Sequence, residues 1–275
     1  MPGFKYAVTI SAEPLPETAP VIFRGDLSAS VEKAKNIGFD AVEIHLRNPQ
    51  HIDKEALIGA CARNDISVSA LATGPEASLN GFSMLDPSVD VRERLMRNLR
   101  AHVDLASELN ALVIIGMLRS NLGKNPREDM ELFKTQLADL TDYAHDCGVT
   151  LVLEAINSYV NNYLCSTKDC CDFIRSLNKE NLLLHIDTHH MNIEDYLPNE
   201  SIRYAGKTIG YVHFCEINRM YPGIGNFDFP GALRALYDVG YEGYISLECI
   251  PKPNPDTAAT LGLAYIKKEA ETLAE

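Results

Sequence analysis

Eight short apolar runs alternate with eight longer amphipathic stretches along this chain. The runs cover 4–10, 40–46, 66–72, 111–116, 149–154, 182–187, 209–215 and 243–249. The amphipathic stretches fall near 27–37, 53–64, 88–109, 127–147, 167–178, 198–206, 230–239 and 256–273. Strands joined through helices run parallel, and a parallel sheet needs cover on both faces. Eight such units close on themselves, so the pattern predicts one α/β domain, a (β/α)8 TIM barrel over 1–275. A length of 275 residues suits that architecture, and no linker or low-complexity tract divides it. Local punctuation agrees. Asp26 and Ser88 stand where helices would begin, and Gly38, Gly148 and Gly240 where they would end.

Five turn-rich segments, 73–87, 117–126, 156–166, 188–197 and 216–229, follow strand ends. All would lie on the one barrel face where such folds carry their chemistry. Four strand ends in the second half bear donors: Glu154, Asp187, His213 and Glu248. A carboxylate at the end of a core strand is costly without a counter-charge. One alone could be a helix cap or an ion-pair partner. Three carboxylates and an imidazole on successive strands point at one volume and suit a divalent cation. Mn²⁺ is preferred, with Mg²⁺ or Co²⁺ as alternatives. Zn²⁺ would more often recruit further His or Cys.

The net charge of −13 opposes a nucleic-acid partner. No apolar run is long enough to span a membrane. The seven cysteines are odd in number and form no CxxC pair, and the N-terminus runs directly into a strand-like stretch. Reduced thiols in a cytoplasmic protein are expected.

Asp187-Thr-His-His-Met-Asn192, His213-Phe-Cys-Glu-Ile-Asn-Arg219 and Gly223-Ile-Gly-Asn-Phe-Asp228, followed by Glu248, resemble motifs of sugar isomerase and epimerase barrels. Phe23-Arg-Gly-Asp-Leu27, Ala41-Val-Glu-Ile44 and Leu112-Val-Ile-Ile-Gly116 extend the likeness over nearly the whole chain. The family resembled is the xylose-isomerase-like superfamily. Within it the chain is most similar to the ketose 3-epimerases, and among these to the 5-keto-L-gluconate epimerase group. The resemblance implies that Glu154, Asp187, His213 and Glu248 hold the metal, with Glu154 and Glu248 also the acid/base pair. It implies that His190 and Arg219 hold substrate oxygens. It further implies a homo-oligomer. Glu43, inward by alternation, and Asn157, on the loop after Glu154, join the substrate-binding set.

Three positions depart from the family pattern. Val160 stands where the epimerases carry a second glutamate, and Asn226 where they carry histidine. Gly74-Pro-Glu-Ala-Ser78 also differs from the usual loop. The expected activity is epimerisation or isomerisation of a keto sugar or keto sugar acid, by proton abstraction beside the carbonyl. The alternative is a lyase acting on a 3-keto glycoside with a small partner subunit. An apurinic endonuclease would need extra His ligands, but the third and fourth strands end in Leu71-Ala72-Thr73 and Ile115-Gly116-Met117. A non-catalytic sugar-binding barrel would not need four metal ligands. Among other polar residues, His45 shares a face with Glu43, and His185 with Asp187. A nucleophilic role for Cys215 would require a depressed thiol pKa. Arg119, Lys124 and Arg127 are read as a solvated loop.

Overall fold

The computed structural model describes residues 3–274. Its strands are β1 Lys5–Ser11, β2 Phe23–Arg24, β3 Ala41–His45, β4 Ser67–Ala72 and β5 Leu112–Ile115. They continue as β6 Leu151–Glu154, β7 Leu182–Asp187, β8 Ile209–Phe214 and β9 Tyr244–Leu247. The helices are α1 Leu27–Ile37, α2 Lys54–Asn64, α3 Gly74–Asn80, α4 Val89–Leu109 and α5 Pro126–Asp146. After these come α6 Thr167–Leu177, α7 Thr188–Glu194, α8 Pro198–Ala205, α9 Phe229–Asp238 and α10 Pro255–Glu271. Every strand pairing is parallel, and β9 returns to β1 from Lys5↔Tyr244 to Val8↔Leu247. That closure makes the TIM barrel. The two-residue β2 lies outside it, paired to the end of β1.

The strand pleat sorts the side chains into two environments. Val42, Leu71, Val113, Leu153, Leu184, Val212 and Leu247 turn outward into the layer filled by Leu95, Leu99, Val103, Leu137 and Ile266. Each such fully buried side chain contributes about 1.5–3 kcal/mol. The opposite face encloses a separate small cluster of Ala70, Ala72, Ile114, Val152 and Tyr211 inside the barrel. Above that plug, the inward positions turn polar.

Two register shifts decide what points inward. Ile209 pairs with Leu184, but Tyr211 pairs with His185, so Gly210 is an extra residue in β8. The bulge puts Tyr211 and His213 on the same face as His185 and Asp187. Without it, His213 would turn toward the helices. Ser69 is the matching extra residue in β4, between Val68 and Ala70.

The helix ends follow local chemistry. Asp26 Oδ1 accepts from Ala29 N–H at 2.7 Å, and Gly38 closes the same helix in the left-handed region at φ 105°. Capping of this kind is worth about 1 kcal/mol. Ser88 occupies the cap position of α4, but its hydroxyl makes no cap bond. Instead its own N–H is held by Asp86. The segments 73–87 and 188–197, expected as turns, contain α3 and α7. Seven residues make only two turns, too few for an apolar period to show.

Gly210 has no space for a side chain: a Cβ there would lie 2.6 Å from Leu183 Cβ. Gly210→Ala is expected to lower stability by about 1–3 kcal/mol through overpacking. Urea unfolding measures this, and an unchanged midpoint would show the bulge to be adaptable.

Candidate active site and metal centre

Glu154 ends β6, Asp187 ends β7, His213 is the penultimate residue of β8, and Glu248 directly follows β9. Adjacent parallel strands thus deliver four donors to one end of the barrel. All four are buried: Glu154 is 9% exposed, Asp187 0%, His213 2% and Glu248 8%. His213 Nδ1 lies 3.3 Å from Glu248 Oε2 and 4.0 Å from Asp187 Oδ2. His190 Nε2 lies 3.6 Å from Glu154 Oε1 and 3.9 Å from Asp187 Oδ2. Asp187 serves two structures at once. Its Oδ1 caps α7 by accepting from His189 N–H at 2.8 Å, while Oδ2 faces the site.

Beneath this layer Glu43 is completely buried. Its Oε2 accepts from His213 Nε2 at 2.8 Å and from the Tyr211 hydroxyl at 3.1 Å. Its Oε1 is 2.8 Å from His45 Nε2. Burial alone would raise the Glu43 pKa, but His213 and His45 outweigh it and hold the carboxyl well below its ordinary range. Both oxygens are engaged, so Glu43 orients His213. His45, on the same face of β3, belongs to this network through its bond to Glu43.

Arg219 is presented by the loop after β8, with its backbone in the left-handed region at φ 61°. Glu216 organises that loop by accepting from the N–H groups of Gly223, Gly225 and Phe227 at 3.0, 2.9 and 3.2 Å. Arg219 Nη1 donates at 2.5 Å to both Asp187 Oδ2 and Glu248 Oε2, and Nη2 is 3.2 Å from His190 Nε2. Asn157 is also buried, and its Nδ2 sits 2.7 Å from His190 Nδ1. Asn157 therefore fixes the His190 ring.

The electrostatics follow from crowding of like charges away from water. Burial, then Glu248 and Asp187, raise the Glu154 pKa to about 8. Burial would also raise Asp187, but Arg219, His190 and His213 overcome it and keep the carboxyl ionised. Burial would lower His213, but Glu43 and Glu248 raise it well above the usual histidine range. Burial lowers His190 to about 3, so its ring is neutral. Burial and Asp187 push the Cys215 thiol well up, which removes it as a nucleophile. Arg119 is also buried, contrary to the solvated-loop reading. It packs over the Tyr163 ring at 5.1 Å and donates to the carbonyls of Tyr163 and Leu164 at 3.4 Å.

These residues fit a divalent cation. His213 Nδ1 is buried without a hydrogen-bond partner and faces carboxylate oxygens. Three overlapping donor groups have their ligand atoms within 4.8 Å of one another: Glu154–His185–His213, Glu43–His213–Glu248 and Glu154–Asp187–His190. Gly116 leaves room for the Glu154 carboxylate, since a Cβ there would fall 2.2 Å from its Oε2.

Over residues 31–269 the chain matches the sequence model of the xylose isomerase-like TIM barrel family, and it belongs to that family. A ketose 3-epimerase of Arthrobacter globiformis is 32% identical over 240 residues, 85% of this chain and 82% of the relative. An L-ribulose 3-epimerase of Methylomonas sp. strain DH-1 is 30% identical over 237 residues, 83% of this chain and 82% of the relative. In fold, the chain resembles a D-psicose 3-epimerase from Clostridium cellulolyticum H10 solved with D-tagatose. The TM-score is 0.82 and the identity 21%, over 97% of this chain and 99% of that one. Among the described residues, no helix is long and apolar enough to cross a membrane.

Cation binding must displace the proton from Glu154 below pH 8, and one from His213 Nδ1. Calorimetric titration with Mn²⁺ at pH 7, in buffers of different ionisation enthalpy, should report release of about one to two protons. Affinity should rise with pH through about 8 and go on rising above it while His213 still holds its proton. Binding without proton release would contradict this charge assignment.

Proposed function

We propose that the chain is a divalent-metal-dependent epimerase that acts beside the carbonyl of a keto sugar or keto sugar acid. The observation that carries the reading is the meeting of Glu154, Asp187, His213 and Glu248 at one barrel mouth. The ketose 3-epimerase relatives support it. When bound by these four residues, a cation, Mn²⁺ by preference, supplies the Lewis acidity that makes the carbon next to a carbonyl acidic.

The protein's own groups do the rest. Glu154 and Glu248 stand on β6 and β9 edges separated by two strands, so they approach the reacting carbon from different sides. One carboxylate takes the carbon-bound proton, and the other, protonated from solvent between turnovers, returns that proton to the opposite face, which inverts the centre; the first then releases its proton to solvent. His190, neutral and held by Asn157, offers Nε2 to a substrate hydroxyl. Arg219 neutralises Asp187 and Glu248, and a cation on those carboxylates frees its fork for a substrate oxygen. Val160, 43% exposed near the mouth, gives that side an apolar contact where the family pattern has an acid.

The test is incubation of D-psicose, D-tagatose, L-ribulose and their keto acid counterparts in heavy water with Mn²⁺, followed by NMR. The expected outcome is inversion at one carbon with deuterium incorporated there. Glu154→Gln and Glu248→Gln should each lower turnover by about 10²–10⁴-fold with the fold intact. Release of a fragment instead of an epimer would replace epimerisation by elimination. Undiminished turnover in both variants would remove the two-carboxylate scheme.

A further inference from the structure

The quartet leaves one donor at the barrel mouth unexplained. His185 lies two residues before Asp187 on the same inward face of β7 and pairs in register with Glu154. It is completely buried, and neither ring nitrogen has a hydrogen-bond partner. A neutral imidazole carries one N–H donor and one lone pair. Leaving both unmade costs stability, and such a group in a folded protein calls for a bound species or a function. The neighbours of His185 are themselves donors. Its ring meets His213 edge-on at 4.1 Å and Tyr211 at 5.5 Å. One nitrogen of His185, one of His213 and one oxygen of Glu154 lie within 4.8 Å of each other. Ligand atoms about 2.0–2.2 Å from a shared ion are separated by no more than about twice that distance, so His185 needs only a small adjustment to share an ion with Glu154 and His213.

We propose that His185 is a fifth protein ligand to the cation in the substrate-free protein, and that it adds affinity for imidazole-favouring ions such as Co²⁺ to a centre whose carboxylates suit Mn²⁺. The inference rests on the metal reading above and concerns which ion is held. Carboxylates alone suit Mg²⁺ and Mn²⁺, whereas a second imidazole beside His213 favours Co²⁺, Zn²⁺ or Fe²⁺. The role accounts for one of the two orphaned nitrogens: His185 weakens the metal-free barrel, and ion binding satisfies the nitrogen that coordinates.

The experiment compares the wild type with His185→Leu and His185→Gln, all stripped with chelator and titrated with Co²⁺ and with Mg²⁺. Both variants should lose about 10–100-fold in Co²⁺ affinity, while Mg²⁺ affinity moves by less than about threefold. Proton NMR of the Co²⁺-loaded variants should show one fewer hyperfine-shifted imidazole N–H than the wild type. Metal-free His185→Leu should melt about 2–4 °C above metal-free wild type, because two unmet polar atoms are gone. A purely structural histidine would give the reverse: a lower melting temperature and unchanged Co²⁺ binding. That result overturns the proposal while leaving the metal centre in place. Failure of the wild type to bind either ion removes the metal reading itself, and this inference with it.

Discussion

Three carboxylates share a nearly dry volume at the mouth of this barrel, and they cannot all be ionised there without positive charge among them. The rest of the site can be read as the response to that repulsion. Arg219 Nη1 bridges Asp187 and Glu248, His213 is driven toward its protonated form, and Glu154 retains a proton to about pH 8. A divalent cation would supply the same compensation in a smaller volume and free the arginine. On the proposed reading, exchange between these two ways of balancing the charge would couple metal binding to proton release and to the position of Arg219.

Support beneath the mouth is as ordered as the mouth itself. Glu43 receives bonds from His213, His45 and Tyr211, and Ser69 lies 2.6 Å from the Tyr211 hydroxyl. This buried network joins β3, β4 and β8 across the barrel. It fixes the ring of His213 so that Nδ1 faces the carboxylates. A fully connected polar network tolerates little rearrangement, because each lost bond leaves a buried group unmet. The loops above are held in the same manner, by Glu216 under Arg219 and by Arg119 under the 161–164 segment. Substrate selectivity rests on these loops, since the barrel below has no freedom to adapt.

Much of this was legible in the chain. The eight strands and eight long helices fall within a residue or two of the apolar periods, because a buried strand and a covering helix each impose a repeat on sequence. The strand-end donors stood out because carboxylates are rare at the ends of apolar runs. Other features were hidden for identifiable reasons. The short helices α3 and α7 are stabilised by packing and caps, without an apolar repeat. The bonds that Glu43 and Asn157 make to His213 and His190 were also hidden, since pairing between distant side chains leaves no mark on the local sequence. The unmet nitrogens of His185 were beyond reach, since sequence does not say which partners a buried ring lacks.

Sequence by itself determined the closed parallel barrel and the four donors at its mouth, because periodicity and the chemistry of strand ends are local properties of the chain. Only tertiary structure decided which of those side chains face one another. Gly210 turns His213 inward by one extra residue, and residues as distant as Glu43 and His213 meet only when β1 closes on β9. Register and closure are relations between strands, and no single segment carries them.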